Sequence, residues 1–279
     1  MRSLNRQSGK ERRAKRIPEI DFLRGLAIFL MVLDHLCFDL TMLPGLVKQF
    51  ASNFSIIGSH PLDGLYNLGF AIETSPWRDA GHIVFVGVFC LLSGICCTFS
   101  RNNWKRTGLL FLFAWIIKIA FFLFGYYSDD PSMYIYFGML DSLFIAHLLY
   151  TIKEHFLKDK AYDLAIGLAF VFFTLMLTSP SPYYPDGPID ALKNLWMMFI
   201  GQAAVGGDYI HPLPVIALLF IGAFLGKWLY RERRSYAPFL KKAEPFPFFG
   251  RHSALIYLIH QPILAAILLC VCLGLGYRI

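Results

Sequence analysis

Charge is scarce in this chain. Of its 279 residues only 16% are Asp, Glu, Lys or Arg, against roughly 25% in soluble domains. With 56% of residues hydrophobic and a mean hydropathy of +0.52, that shortage excludes an ordinary soluble domain. Cysteine is sparse too. Cys37, Cys90, Cys96, Cys97, Cys270 and Cys272 all lie in apolar runs, and no CxxC spacing occurs. Disulfide and metal roles are therefore not expected, and the thiols read as small buried side chains. The chain lacks an internal repeat and a low-complexity tract. No cleavable leader is expected, because the N-terminus is basic and the first apolar run is too long. The net charge of +7 gathers between Arg2 and Arg16 and in short hydrophilic breaks. The positive-inside bias of membrane proteins accounts for it, and no nucleic-acid partner is expected.

Long apolar runs dominate instead. A spanning helix needs roughly 20 apolar residues. The sequence predicts spans at 20–43, 82–100, 107–126, 133–151, 162–179, 212–230 and 252–277. Arg101, Lys105 and Arg106 follow the second, Lys153, Lys158 and Lys160 the fourth, and Arg231, Arg233 and Arg234 the sixth. These breaks belong inside by the Lys/Arg rule. Residues 191–204 are too short to cross and read as an interfacial or re-entrant helix on the outer face. Residues 44–81 read as a long outer loop. The expectation is an all-α polytopic bundle of about seven spans. It forms one transmembrane domain, 1–279, with a basic cytoplasmic tail over 1–19.

The first span, RGLAIFLMVLDHLCFDL, carries Arg24, Asp34, His35 and Asp39. Helical residues advance about 100° each, so Arg24 and His35 differ by a net ~20° and share one stripe. His35 and Asp39 are i, i+4 neighbours on it, whereas Asp34 lies about 100° away. At ~1.5 Å per residue, His35 stands roughly 21 Å beyond Asp21, in the outer half of the bilayer. Ionisable groups at that depth normally face a polar cavity. An imidazole beside a carboxylate is a base with an orienting partner. Structural roles compete for the other buried groups. Lys118 and Asp141 are expected to pair across helices. His147 lies in the fourth span. His260, before Gln261 and Pro262, either caps a kink or lines the cavity. The same buried Asp and His residues would suit a proton-coupled transporter of a small polar solute, although no inverted repeat supports one.

Five segments, in order, resemble the bacterial membrane proteins related to heparan-alpha-glucosaminide N-acetyltransferase. They are RIPEIDFLRGLAIFLMVLDHLCFDL, FVGVFCLLSGICCTFSRNNWKR, YIYFGMLDSLFIAHLL, GGDYIHPLPVIALLFIGAFLG and GRHSALIYLIHQPIL. A more distant likeness links the chain to the acyltransferase 3 family. The resemblance implies transfer of acetyl from cytosolic acetyl-CoA to an amine or hydroxyl of a glycan-type acceptor on the far side. It implies Arg24, Arg101, Lys105, Arg106 and Arg251 for the coenzyme phosphates. It implies His35, with Asp34 and Asp39, as the catalytic group, either as base or as acetyl carrier. Glu73, His82, Asp208 and His260 are the candidates for the acceptor. No metal is expected. A lipid bilayer surrounds the protein, and a homodimer is a further expectation.

Overall fold

The computed structural model describes residues 16–50, 60–128, 134–177, 181–182, 188–204 and 208–277. The basic tail before Arg16 lies outside them. The described chain is helical: α1 Pro18–Phe50, α2 His60–Glu73, α3 Pro76–Phe99, α4 Asn103–Ser128, α5 Met139–Phe156, α6 Lys160–Leu177, α7 Pro188–Lys193, α8 Leu195–Phe199, α9 Pro212–Leu229, α10 Phe246–Arg251 and α11 Ser253–Gly274. Short polar caps set several starts. The Ser75 hydroxyl accepts the Arg78 N–H at 3.2 Å, Asn102 accepts that of Lys105 at 2.9 Å, and Asp159 accepts that of Ala161 at 2.9 Å. Each satisfies an N–H that the first helical turn leaves open.

The predicted loop over 44–81 is corrected. α1 continues to Phe50, α2 occupies His60–Glu73, and α3 begins at Pro76; residues 51–59 lie outside the description. Apolarity marks where a helix enters hydrocarbon, whereas Ser75 and Pro76 mark where it starts, with proline pre-set for the first helical position. Residues 191–204 do not form one helix. α7 and α8 are each too short to cross, and Ala203–Ala204 pairs in parallel with Ser181–Pro182.

Two compact units emerge, Met1–Phe85 with Tyr230–Ile279, and Val86–Leu229, so that the boundary falls inside α3. In the first unit α10 and α2 both pack on α1. Two glycines permit the α10 contact. A Cβ on Gly25 would strike the Phe246 carbonyl, and one on Gly250 would strike the Asp21 carbonyl. Gly250→Ala is therefore expected to destabilise the protein by about 1–3 kcal/mol or more. Gly108→Ala, with nothing near its added carbon, is expected to leave the thermal midpoint unchanged or slightly raised, as Ala favours helix over Gly. Midpoints of the detergent-solubilised variants check both. In the second unit α9 is the core, with Ile216, Leu219, Phe220 and Ala223 buried, and it packs on α5 and α6. α4 and α6 expose Phe111, Leu112, Trp115, Phe172 and Phe173. Hydrocarbon tolerates such rings where water would not.

Among the described residues six helices, α1, α3, α4, α6, α9 and α11, are long and apolar enough to cross a membrane. Arg24 meets Ser253 early in both α1 and α11, and the His35 and His260 rings meet further along both, so these two helices run parallel. α5 falls short of the six in apolarity, not in length. Its 18 residues reach about 27 Å. Its three charged residues make it less apolar than the others, but each is paired. Asp141 takes Lys118 at 2.8 Å, Glu154 takes Lys227 at 2.7 Å, and Lys153 is ion-paired with Asp163. The expected Lys118–Asp141 bridge is present, and Asp141 also accepts the Gly138 N–H at 2.9 Å at the start of α5.

Candidate active site

The polar stripe of α1 is met residue by residue from α11. Arg24 donates to the Ser253 hydroxyl at 2.5 Å. Eleven residues on, the His35 and His260 rings stand edge to face with centroids 4.9 Å apart. One turn beyond, Gln261 stands beside the Asp39 carboxyl. Both imidazoles are oriented by their own helices. Nδ1 of His35 lies 3.0 Å from the Met31 carbonyl, and Nδ1 of His260 lies 2.6 Å from that of Tyr257. A carbonyl can only accept, so each Nδ1 holds the proton and each Nε2 carries a lone pair. The Nε2 of His260 is buried and has no hydrogen-bond partner. The expectation that Asp39 fixes the His35 tautomer is corrected: Met31 does so, because helix geometry brings the i−4 carbonyl to Nδ1. Among the described residues no hydrogen bond joins His35 to Asp39.

Asp34 points elsewhere, as its 100° offset requires. Arg78 at the start of α3 clamps it through Nε at 2.6 Å and Nη2 at 3.0 Å. Such a fork is the strong, geometrically fixed form of the ion pair. His82, one turn further along α3, places Nδ1 3.0 Å from the second Asp34 oxygen. Glu73, ending α2, meets Arg78 at 3.1 Å. Burial raises the Glu73 carboxyl above its usual range, while the Arg78 charge pulls the other way. One Glu73 oxygen is buried without a hydrogen-bond partner. Asp34, Glu73 and His82 are thus brought together by Arg78, a residue that sequence reasoning did not single out. Its segment, SPWRDAG, was read as loop, and a loop arginine carries no periodic signal. Ser253 and Gln261 were missed for a different reason: uncharged polar side chains barely disturb an apolar run.

The remaining predicted positions divide between the units. Arg251 belongs to the first and pairs with Glu244 at 3.0 Å, which holds the exposed Glu244 carboxyl below its usual range. Glu19, buried near the start of α1, accepts from the Ser235 hydroxyl at 2.6 Å and the Tyr236 N–H at 2.8 Å, tying the segment after Tyr230 to α1. Arg101, Lys105, Arg106 and Asp208 belong to the second unit. Arg101 and Lys105 are exposed at the turn between α3 and α4. Arg106 reaches the Ser93 hydroxyl at 3.4 Å. That hydroxyl lies 2.9 Å from Nε2 of the buried His147, whose Nδ1 lies 3.2 Å from the Cys97 thiol. Asp208 sits beside Gly138, where an added Cβ would come within 3.1 Å of its carboxylate.

Arg24 and His35 of α1 are each met by a residue of α11. A family model described as heparan-alpha-glucosaminide N-acetyltransferase, catalytic, matches residues 16–62 and 57–262. The chain belongs to this family. The matched stretch takes in every described helix of the seam and cluster up to Pro262. This heparan-alpha-glucosaminide N-acetyltransferase relative is accordingly a transmembrane acetyltransferase. No curated protein and no solved structure matches the chain. Among the described residues no group of three or more His, Cys, Asp or Glu could hold a metal ion.

Proposed function

We propose that the protein takes acetyl from cytosolic acetyl-CoA and delivers it to an amine or hydroxyl of a glycan-type acceptor at the outer side of the inner membrane, with its N-terminus in the cytoplasm. The seam between α1 and α11 carries this reading. It places a guanidinium, Arg24, near one end. About 16 Å further along α1 it places an imidazole whose Nε2 lone pair is available, and a carboxyl lies one turn beyond. The Lys/Arg rule puts the break that holds Arg101, Lys105 and Arg106 in the cytoplasm, and Arg24 and Arg251 remain the candidates of the first unit. Guanidinium and ammonium groups there suit the coenzyme phosphates. His35 is the reactive imidazole. Acting as base or as acetyl carrier, it needs its proton on Nδ1 and its lone pair on Nε2, and the Met31 carbonyl enforces that state. Asp39 and His260 complete its surroundings, and Glu73, His82 and Asp208 remain the candidates on the acceptor side.

The direct test is ligand-induced stabilisation. A ligand held only by the folded state, at about 100 times its dissociation constant, adds ~2.7 kcal/mol. Acetyl-CoA is expected to raise the thermal midpoint of the detergent-solubilised protein, and the double replacement Arg101→Ala with Lys105→Ala to weaken that response. An unmoved midpoint at millimolar acetyl-CoA would remove the coenzyme from the reading.

A further inference from the structure

The segment between α9 and α11 has two faces. One is docked on α1. Glu19 holds Ser235 and Tyr236 there, and the Phe246 ring meets those of Phe22 and Phe29 edge to face at 5.4 and 5.8 Å. Gly250 lies against the Asp21 carbonyl. The other face is exposed. Phe239, in the 3-10 turn Pro238–Lys242, is 72% exposed, and Phe248 of α10 is 48% exposed. Lys241 and Lys242 follow Phe239 in the same turn and are exposed with it. From Arg231 to Glu244 five cations face two carboxylates. Those carboxylates are already engaged, Glu232 with Arg234 and Glu244 with Arg251, both at 3.0 Å. The face is therefore basic and apolar at once. Its contacts with α1 fix it beside the start of two parallel helices, α1 and α11.

Cations at the end of a span follow from the Lys/Arg rule alone. Exposed phenyl rings do not, because such a ring is stabilised by hydrocarbon and not by water. Rings that dip into the acyl boundary, with Lys and Arg left at the phosphate level, are how a segment lies on an anionic leaflet. Coenzyme A would bring phosphates to the same cations, but it has no long hydrocarbon chain to receive two rings. We propose that this face docks anionic phospholipid, with Phe239 and Phe248 in the acyl boundary and Lys241 and Lys242 on the headgroup phosphates. The assignment rests on the membrane-spanning helices and stands apart from the acetyl-transfer reading. Its consequence lies on the opposite face. Glu19 and Asp21 open α1, so lipid held here steadies the start of the helix that carries Arg24 and His35.

The experiment uses the full chain in detergent, with dioleoyl phosphatidylglycerol and dioleoyl phosphatidylcholine as probes and native mass spectrometry as the readout. Phosphatidylglycerol is expected to bind more tightly, to raise the thermal midpoint more, and to lose that advantage as salt screens the charges. Lys241→Gln with Lys242→Gln is expected to weaken phosphatidylglycerol binding about 30-fold, roughly fivefold for each cation, and to leave phosphatidylcholine binding unchanged. Phe239→Ser is expected to weaken both lipids alike. Lys158→Gln with Lys160→Gln removes the same charge from another basic break and is expected to weaken neither. All five positions are exposed, so the variants should fold, and their midpoints without lipid check this. Equal losses in the two double variants would show that net charge, not this face, draws the lipid, and would overturn the assignment. So would equal binding of the two lipids by wild type, or displacement of phosphatidylglycerol by acetyl-CoA, which would give the face to the coenzyme. A protein that binds phosphatidylglycerol here but no acetyl-CoA overturns the acetyl-transfer reading and leaves this one standing.

Discussion

Replacing His35 by Ala is expected to lower acetyl transfer by about 10²–10⁴-fold, the largest functional effect of any single substitution in the chain. The expectation follows from three features of the ring. Its Nδ1 proton is committed to the Met31 carbonyl, so no side-chain rotation or solvent competition decides the tautomer. It stands edge to face with His260, whose Nε2 is buried without a hydrogen-bond partner. And it stands on the same helical stripe as Arg24. Alanine deletes the lone pair while leaving the Arg24–Ser253 and Asp34–Arg78 contacts in place. The variant should therefore fold and still gain thermal stability from acetyl-CoA. The check is the rate of amide formation measured beside that stabilisation. Full activity with intact coenzyme response would mean that the acetyl group never passes His35. His35→Gln, which supplies an amide of similar reach and no basic nitrogen, should be as inactive as alanine.

Much of the bundle was legible because hydrocarbon is a demanding solvent. α3, α4, α6, α9 and α11 each announce themselves as apolar runs, and their positions follow from length alone. The ends were less legible. Ser75, Asn102 and Asp159 start helices within polar segments, where hydropathy says loop and capping chemistry says helix. The stretch through α2 was misread for the same reason: a helix lying outside the spanning runs needs no continuous apolarity. α5 shows the opposite case. Its charges weaken the apolar signal, and their pairing partners on α4, α6 and α9 hold them inside the second unit.

At the candidate site, helical periodicity predicted which residues share a face but not what meets them. Arg24, His35 and Asp39 do lie along one seam. The offset of Asp34 was equally legible, and it explains why that carboxylate joins Arg78 and His82 rather than the stripe. The partners themselves, Arg78, Ser253 and Gln261, come from segments 44 to 229 residues away in sequence. No local pattern encodes such pairings, and a polar side chain that satisfies a buried charge leaves no periodic trace.

Asp163→Ala is expected to be the most destabilising substitution in the second unit. Asp163 is fully buried, at 0% exposure, near the start of α6. It is ion-paired with Lys153 of α5 and lies 2.8 Å from Lys227 of α9. Glu154 lies 3.1 Å from Lys153 and 2.7 Å from Lys227, so two ammonium groups share two carboxylates, with Tyr150 beneath both cations at 5.4 and 5.7 Å. Removing Asp163 leaves one carboxylate for two cations, and Lys153 is itself almost wholly buried. Breaking a buried pair from one side costs about 3–5 kcal/mol, because the other charge stays desolvated. For a chain of this size that is roughly 6–20 °C in thermal midpoint. Removing a cation as well should recover part of the loss, since the charges again balance. Asp163→Ala with Lys227→Met is therefore expected to melt higher than Asp163→Ala alone, and the double-mutant cycle reads the coupling directly. Equal midpoints for wild type and Asp163→Ala would show that these charges are solvated in the membrane and that α5 crosses without them.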